Sequence, residues 1–521
     1  MEIFRYGKDL LTVGKALQLA HGNIRGVIDE GAIARINISA GHINEILKGS
    51  TAIYGVNTGF GPLCTVAIAS EDVRKLQEKL LISHSVGVGG HCERDLVKLM
   101  IVTKIQSLCA GYSGVRLETI KRMLWMLETD IVPIVPLQGS VGASGDLAPL
   151  SHCFLPLIGK GKVGYKGKVW DSIEVLKKYN KSPLQLAAKE GLALINGTQF
   201  ITSYAVLCVH YLHQILAQAD FIASVMVEAL SASAMPFSSE LHRVRYYKGN
   251  KHVAARMFAL IHGSEINKSH EDCDRVQDPY SLRCIPQVHG TSRDIWLHLK
   301  ERTEIELNSV TDNPLVFSGD KIISGGNFHG QPLALTLDYA GLASSEIGSI
   351  SERRIYLSLE GKTQGVPKLL IENTGINSGF MIPQYTAAAL VSENKSLCFP
   401  ASADSIPTSL GQEDHVSMGS ISGRKSLRII RNTQKILGIE LLCAMQALDF
   451  KRPLKTHPVL EVMSHAFREE LPHIEEDVFM AEYIEKSISW IEEGKLLQLY
   501  NDNINTYTHL KTEYDELFEI Y

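Results

Sequence analysis

Residues 201–230 read ITSYAVLCVHYLHQILAQADFIASVMVEAL. Apolar side chains return at Ile201, Tyr204, Cys208, Leu212, Ile215, Ala219, Ile222, Met226 and Leu230, the spacing of one helix face. At ~1.5 Å per residue the run spans about 45 Å. Its apolar character suits a membrane, but His210, His213, Gln214, Gln218, Asp220 and Glu228 interrupt it, and a span tolerates few such residues. A buried helix is the expectation. Comparable patterns occupy 291–310, 332–358, 385–398 and 426–448. Consecutive helices longer than three or four turns point to an elongated bundle. Small residues interleave with apolar ones, as in Ala340-Gly341-Leu342-Ala343-Ser344-Ser345. This suits close helix approach, within one chain or between chains.

Working back toward the start, the texture shortens. Helical patches at 73–82 and 95–109 alternate with glycine-rich turns around 55–61, 87–90 and 139–145, and 162–169 reads as a hairpin. The expected fold is therefore mainly α: a smaller mixed N-terminal domain over 1–200 and a long-helix bundle over 201–521. The charged end, 501–521, reads as a peripheral helical tail or a frayed end.

A net charge of −5 offers no cationic field to a nucleic acid backbone. The first residues carry charges where a signal peptide needs an apolar run. Nine cysteines, an odd number with no C-x-x-C pair, fit a reducing compartment, and the cytoplasm is expected.

Four motifs are decoys. Gly159-Lys160-Gly161-Lys162-Val163-Gly164 matches a dinucleotide fingerprint but continues as a turn and strand instead of opening a helix. His210 with His213, and His270 with Cys273, lack two further ligands at standard spacing, so no metal is expected. Ser144 lacks the G-x-S-x-G elbow of a hydrolase. The Gly-Ser-Ser-x-Met-Pro loop of fumarase-like lyases is absent.

Val141-Gly142-Ala143-Ser144-Gly145-Asp146 holds a different chemistry. In a sharp turn the Gly145 nitrogen can attack the Ala143 carbonyl carbon and close a five-membered ring. Loss of that oxygen and of the Ser144 hydroxyl, each as water, leaves a conjugated methylene, a strong electrophile. Small Ala and Gly leave room for the compressed turn.

The tripeptide is accompanied by ordered blocks. They are Tyr54-Gly55-Val56-Asn57-Thr58-Gly59-Phe60-Gly61, Gly191-Leu192-Ala193-Leu194-Ile195-Asn196-Gly197-Thr198 and Gln277-Asp278-Pro279-Tyr280-Ser281-Leu282-Arg283-Cys284, followed by Ser324-Gly325-Gly326-Asn327-Phe328-His329 and Gln412-Glu413-Asp414-His415-Val416-Ser417-Met418. Together they resemble the aromatic amino acid ammonia-lyase family over nearly the whole chain.

The resemblance implies a methylidene-imidazolone (MIO) group formed from Ala143, Ser144 and Gly145, with no diffusible cofactor. It also implies a homotetramer whose active sites each draw on three chains. It gives Asn196 the MIO carbonyl as a partner, Tyr54, on a lid loop, the β-proton, and Tyr280 a second phenol. Arg283 takes the substrate carboxylate; Gln277 binds substrate or braces the loop, and Phe328 lines the pocket or belongs to the core. Ser83-His84 matches the position that tunes ring recognition. Phenylalanine and tyrosine lyases carry an amide where this chain has Glu413, and histidine lyases a glutamate. A carboxylate accepts an imidazole N–H, whereas a phenyl ring leaves it buried and unpaired. Histidine is thus the expected substrate and urocanate the product. A tyrosine or phenylalanine lyase, or a 2,3-aminomutase, is the alternative.

Overall fold

The computed structural model of the chain describes residues 1–48, 58, 68, 72–271, 276–318 and 321–521. Among them the longest helices are Gln199–Ala229, Ile285–Leu307, Gln331–Ser358 and Gly419–Asp449, and these pack on one another as the expected bundle. The Gln199 helix is apolar and long enough to cross a membrane, but 83% of its most apolar window is buried inside the protein. It is a core helix.

Helix starts follow local chemistry. Pro286 and Pro332 sit in the first turns of their helices, where a missing N–H costs nothing. The fourth helix begins at Gly419, earlier than its apolar period suggests, because small residues there serve tertiary contacts. A Cβ on Gly423 would lie 2.7 Å from that of Tyr204, and Ser422 donates to Asp338 Oδ2 at 3.0 Å.

Buried charges tie the bundle crosswise. Arg293 and His289, on the Ile285 helix, hold Asp220 of the Gln199 helix at 2.7 and 2.8 Å. Burial alone would favour the neutral acid, yet these partners and Arg256 hold Asp220 below the usual carboxylate range. Arg354 pairs with Glu440 between the Gln331 and Gly419 helices.

The first two hundred residues contain the helices Val73–His84, Arg94–Cys109, Leu147–Phe154 and Glu190–Ile195, with small sheets between them. Lys162–Tyr165 and Lys168–Asp171 form the expected hairpin, so the glycine motif runs from a turn into a strand and opens no helix. His210 Nδ1 meets the Tyr521 hydroxyl at 2.5 Å, and His270 Nδ1 meets the Ile266 carbonyl at 2.7 Å. Cys273 lies outside the described residues.

The C-terminal end is peripheral but docked, not frayed. Glu519 bonds Arg256 at 2.6 Å and His252 at 2.9 Å, and Tyr521 packs on His213. Its arginine and histidine partners outweigh burial and hold Glu519 well below the ordinary carboxylate range. Glu519→Gln leaves Arg256 facing Asp220 alone and is expected to cost about 3–5 kcal/mol. Urea unfolding checks this; an unchanged midpoint would show the tail to be dispensable.

Candidate active site

The 139–146 loop turns sharply at Ser144. Gly142, Ser144 and Gly145 have φ of +85°, +53° and +81°, in the left-handed region, and Gly142 bridges to Gly145. A Cβ on Gly142 would lie 2.2 Å from Ser417 Oγ, and one on Gly145 would lie 2.2 Å from the Gly197 carbonyl oxygen. Only glycine fits on either side. This is the folded-back backbone that ring closure between Ala143 and Gly145 requires.

Neighbouring segments hold the turn. Asn196 ends the Glu190–Ile195 helix, and its Nδ2 donates to the Ser144 carbonyl at 2.9 Å. The Asn196 Oδ1 is buried with no partner among the described residues. Ring closure between Ala143 and Gly145 would leave this carbonyl in place, since the oxygen lost would be that of Ala143. The Asp146 carboxylate accepts from Ser140 at 3.2 Å and from the Ile201 N–H at 2.9 Å. Burial, opposed by these donors, pushes its pKa up to about 7. From the start of the Gly419 helix, Met418 N–H donates to the Val141 carbonyl at 3.0 Å and Ser420 Oγ to that of Ser140 at 2.7 Å.

Lys104 was not anticipated. It is 1% exposed, and its Nζ donates to the carbonyls of Ala193 at 3.0 Å and Asn196 at 2.8 Å. Burial pulls its pKa down to about 7, against Asp312, which favours the charge. A signal was present: residues 96–109, LVKLMIVTKIQSLC, leave no broad polar face on which Lys104 would be solvated.

Three more expected residues sit at the Ser144 end of the bundle. His84 ends the helix whose Leu81 carbonyl accepts from Ser151, just beyond the Ser144 turn, at 2.7 Å. Burial lowers the His84 pKa, and Ser83 Oγ lies 3.0 Å from its Nδ1. Phe328 is half-buried beside His329, which meets His415 at 3.3 Å. Glu413 is four positions before Ser417, and its Oε2 is buried with no partner among the described residues.

Gln277, Tyr280 and Arg283 lie elsewhere. Asp278 accepts from the Ser233 N–H at 2.8 Å, just past the far end of the Gln199 helix. That 31-residue helix separates them from the Ser144 turn by about 45 Å within one chain. There Arg283 donates to the Asp278 carbonyl and to Gln277 Oε1, and lies 4.5 Å over the ring of Tyr280, which is 70% exposed. Tyr54 and its loop, apart from Thr58, lie outside the described residues.

The profile described as aromatic amino acid lyase matches residues 11–469. This chain belongs to the aromatic amino acid lyase family. Within that family it is 44% identical over 475 residues to the histidine ammonia-lyase of Enterobacter sp., covering 91% of this chain and 94% of the relative. The crystal structure of histidine ammonia-lyase from Trypanosoma cruzi superposes with a TM-score of 0.90 at 37% identity, over 100% of this chain and 98% of that one. A tyrosine aminomutase from Streptomyces globisporus gives 0.91 at 34% identity, over 96% and 99%. Ser144, Asn196, Arg283 and Glu413 all fall inside the span that matches the lyase family.

Proposed function

We propose that the chain converts L-histidine to trans-urocanate and ammonia without oxidation, using an MIO ring closed from Ala143, Ser144 and Gly145. The observation that carries the reading is the glycine-flanked, left-handed Ser144 turn with Asn196 donating to its carbonyl at 2.9 Å. Once formed, the ring would supply an electrophilic methylene, chemistry that makes an amine a better leaving group.

The chain's own side chains do the rest. Asn196 stabilises charge gathering on the Ser144 oxygen. Arg283, whose Nη2 is braced by Gln277, takes the substrate carboxylate and fixes its orientation. Tyr54 removes the β-proton, with Tyr280 as the second phenol of the site. Phe328 lines the ring pocket, and His84 recognises the ring. Glu413 accepts the imidazole N–H. Its unpartnered Oε2 supports histidine as substrate, as do the names of the relatives from Enterobacter and Trypanosoma cruzi.

The distance between Ser144 and Arg283 along one chain supports a homotetramer whose active sites are each completed by neighbouring subunits. We place the enzyme in the cytoplasm, where the free thiols of Cys92, Cys109, Cys153, Cys208, Cys284, Cys398 and Cys443 stay reduced.

Ultraviolet spectra of the products from histidine, tyrosine and phenylalanine, offered separately, test the substrate. Histidine alone is expected to yield the urocanate band. A coumarate or cinnamate band would overturn the choice. A β-amino acid product would instead favour the aminomutase reading that the Streptomyces globisporus likeness raises. Since the electrophile is built from the chain, exhaustive chelation is expected to leave turnover unchanged. A metal-reversible loss would contradict that.

A further inference from the structure

We infer that Lys104 is a positioning residue for the electrophile, fixing the Asn196 backbone so that the Asn196 amide stays on the Ser144 carbonyl. The inference rests on the reading of Ala143, Ser144 and Gly145 as the source of the ring.

An ammonium buried this deeply loses its hydration and is ordinarily recovered by a carboxylate. Lys104 has no carboxylate within ion-pair distance among the described residues. The nearby buried carboxylate of Asp312 is taken by Lys189 at 2.8 Å. Both described bonds of Lys104 go instead to carbonyls at the end of the Glu190–Ile195 helix, where a cation complements the helix dipole. One of those carbonyls belongs to Asn196.

Asn196 is therefore held from two sides. Its N–H donates to Leu192 at 2.9 Å, and its carbonyl accepts from Lys104 at 2.8 Å. Between these anchors its side chain reaches the Ser144 oxygen. Two hydrogen bonds thus meet at Asn196, one received by its backbone carbonyl from Lys104 and one given by its side chain to the oxygen where charge would develop. A donor fixed in advance stabilises such charge better than one that must reorient. Packing alone does not need the cation, because a methionine fills similar space without the desolvation.

The test compares Lys104→Met, Asn196→Ala and the double variant, each first checked for native helix content and assembly. One readout is the rate at which the freshly folded chain loses two waters by intact mass; the other is steady-state kinetics with histidine. Lys104→Met is expected to slow ring formation and to lower kcat by roughly 10–100-fold with KM little changed. Acting through Asn196, it should add nothing to Asn196→Ala, so the double variant matches Asn196→Ala in both readouts. Lys104→Gln, which keeps a neutral N–H donor, should recover part of the ring-formation rate and provides the same comparison if the methionine variant does not fold. Additive losses in the double variant, or wild-type rates in Lys104→Met, overturn the inference. A wild-type chain at its full sequence mass overturns the electrophile reading, and this inference with it.

Discussion

Ser144→Ala is expected to fold and assemble as the parent does, yet to lose at least ~10³ in kcat, about 4 kcal/mol of barrier. Alanine has no hydroxyl to eliminate, so the methylene cannot form and the amine remains a poor leaving group. The backbone should be little affected, since the turn depends on Gly142 and Gly145 and on bonds to the Ser144 carbonyl, none of which involves the hydroxyl. Ser144→Cys separates chemistry from packing: loss of hydrogen sulfide gives the same ring, and activity should return in part. Intact mass supplies the control, with the parent chain two waters lighter than its sequence and Ser144→Ala lacking that loss. Full activity in a parent chain of unmodified mass would end the proposal.

The second large effect is expected at Glu413. Replacement by Gln keeps the shape but removes the charge, and a hydrogen bond to a charged group contributes about 1.5–3 kcal/mol. Histidine kcat/KM should therefore fall by roughly 100-fold, about 2.7 kcal/mol. Phenylalanine and tyrosine, which offer no ring N–H, should be penalised far less. A companion His84→Phe should shift preference further toward those substrates by removing a polar partner and filling the ring pocket. Histidine turnover that survives Glu413→Gln unchanged would make the carboxylate structural and return the tyrosine reading to near-equal standing.

The bundle was legible because its apolar period is long. From Ile201 to Leu230 the same face recurs for eight turns, and the helix appears there almost to the residue. Starts were harder to see wherever tertiary contacts replace periodicity, as at Gly419, where Ser420 and Gly423 face the Ser140 carbonyl and Tyr204. The four-residue strands Ile3–Tyr6 and Arg25–Ile28 are too short to show a pattern. The docking of the tail was hidden because its charges look solvated. Glu519 finds Arg256, some 260 residues earlier, and no local reading pairs residues across that distance.

At the site, Ser144 and Asn196 could be named from sequence because ordered blocks carry them. The resemblance also gave Asn196 a carbonyl of the ring as its partner, and its amide is found on the Ser144 oxygen. Lys104 shows the opposite limit: it is conspicuous as a lysine in an apolar helix, but without the fold its carbonyl partners have no address.

The Gln199 helix, finally, acts as a ruler. In the proposed assembly it sets how far one subunit's Arg283 stands from its own Ser144, and so where a neighbour must dock to bring the two chemistries together. One inserted residue would lengthen it by ~1.5 Å and turn everything beyond by about a hundred degrees. Residues 199–229 contain neither glycine nor proline, the residues that most readily bend or break a helix. A change in the length of this rod would alter the gauge on which each site of the proposed oligomer is built.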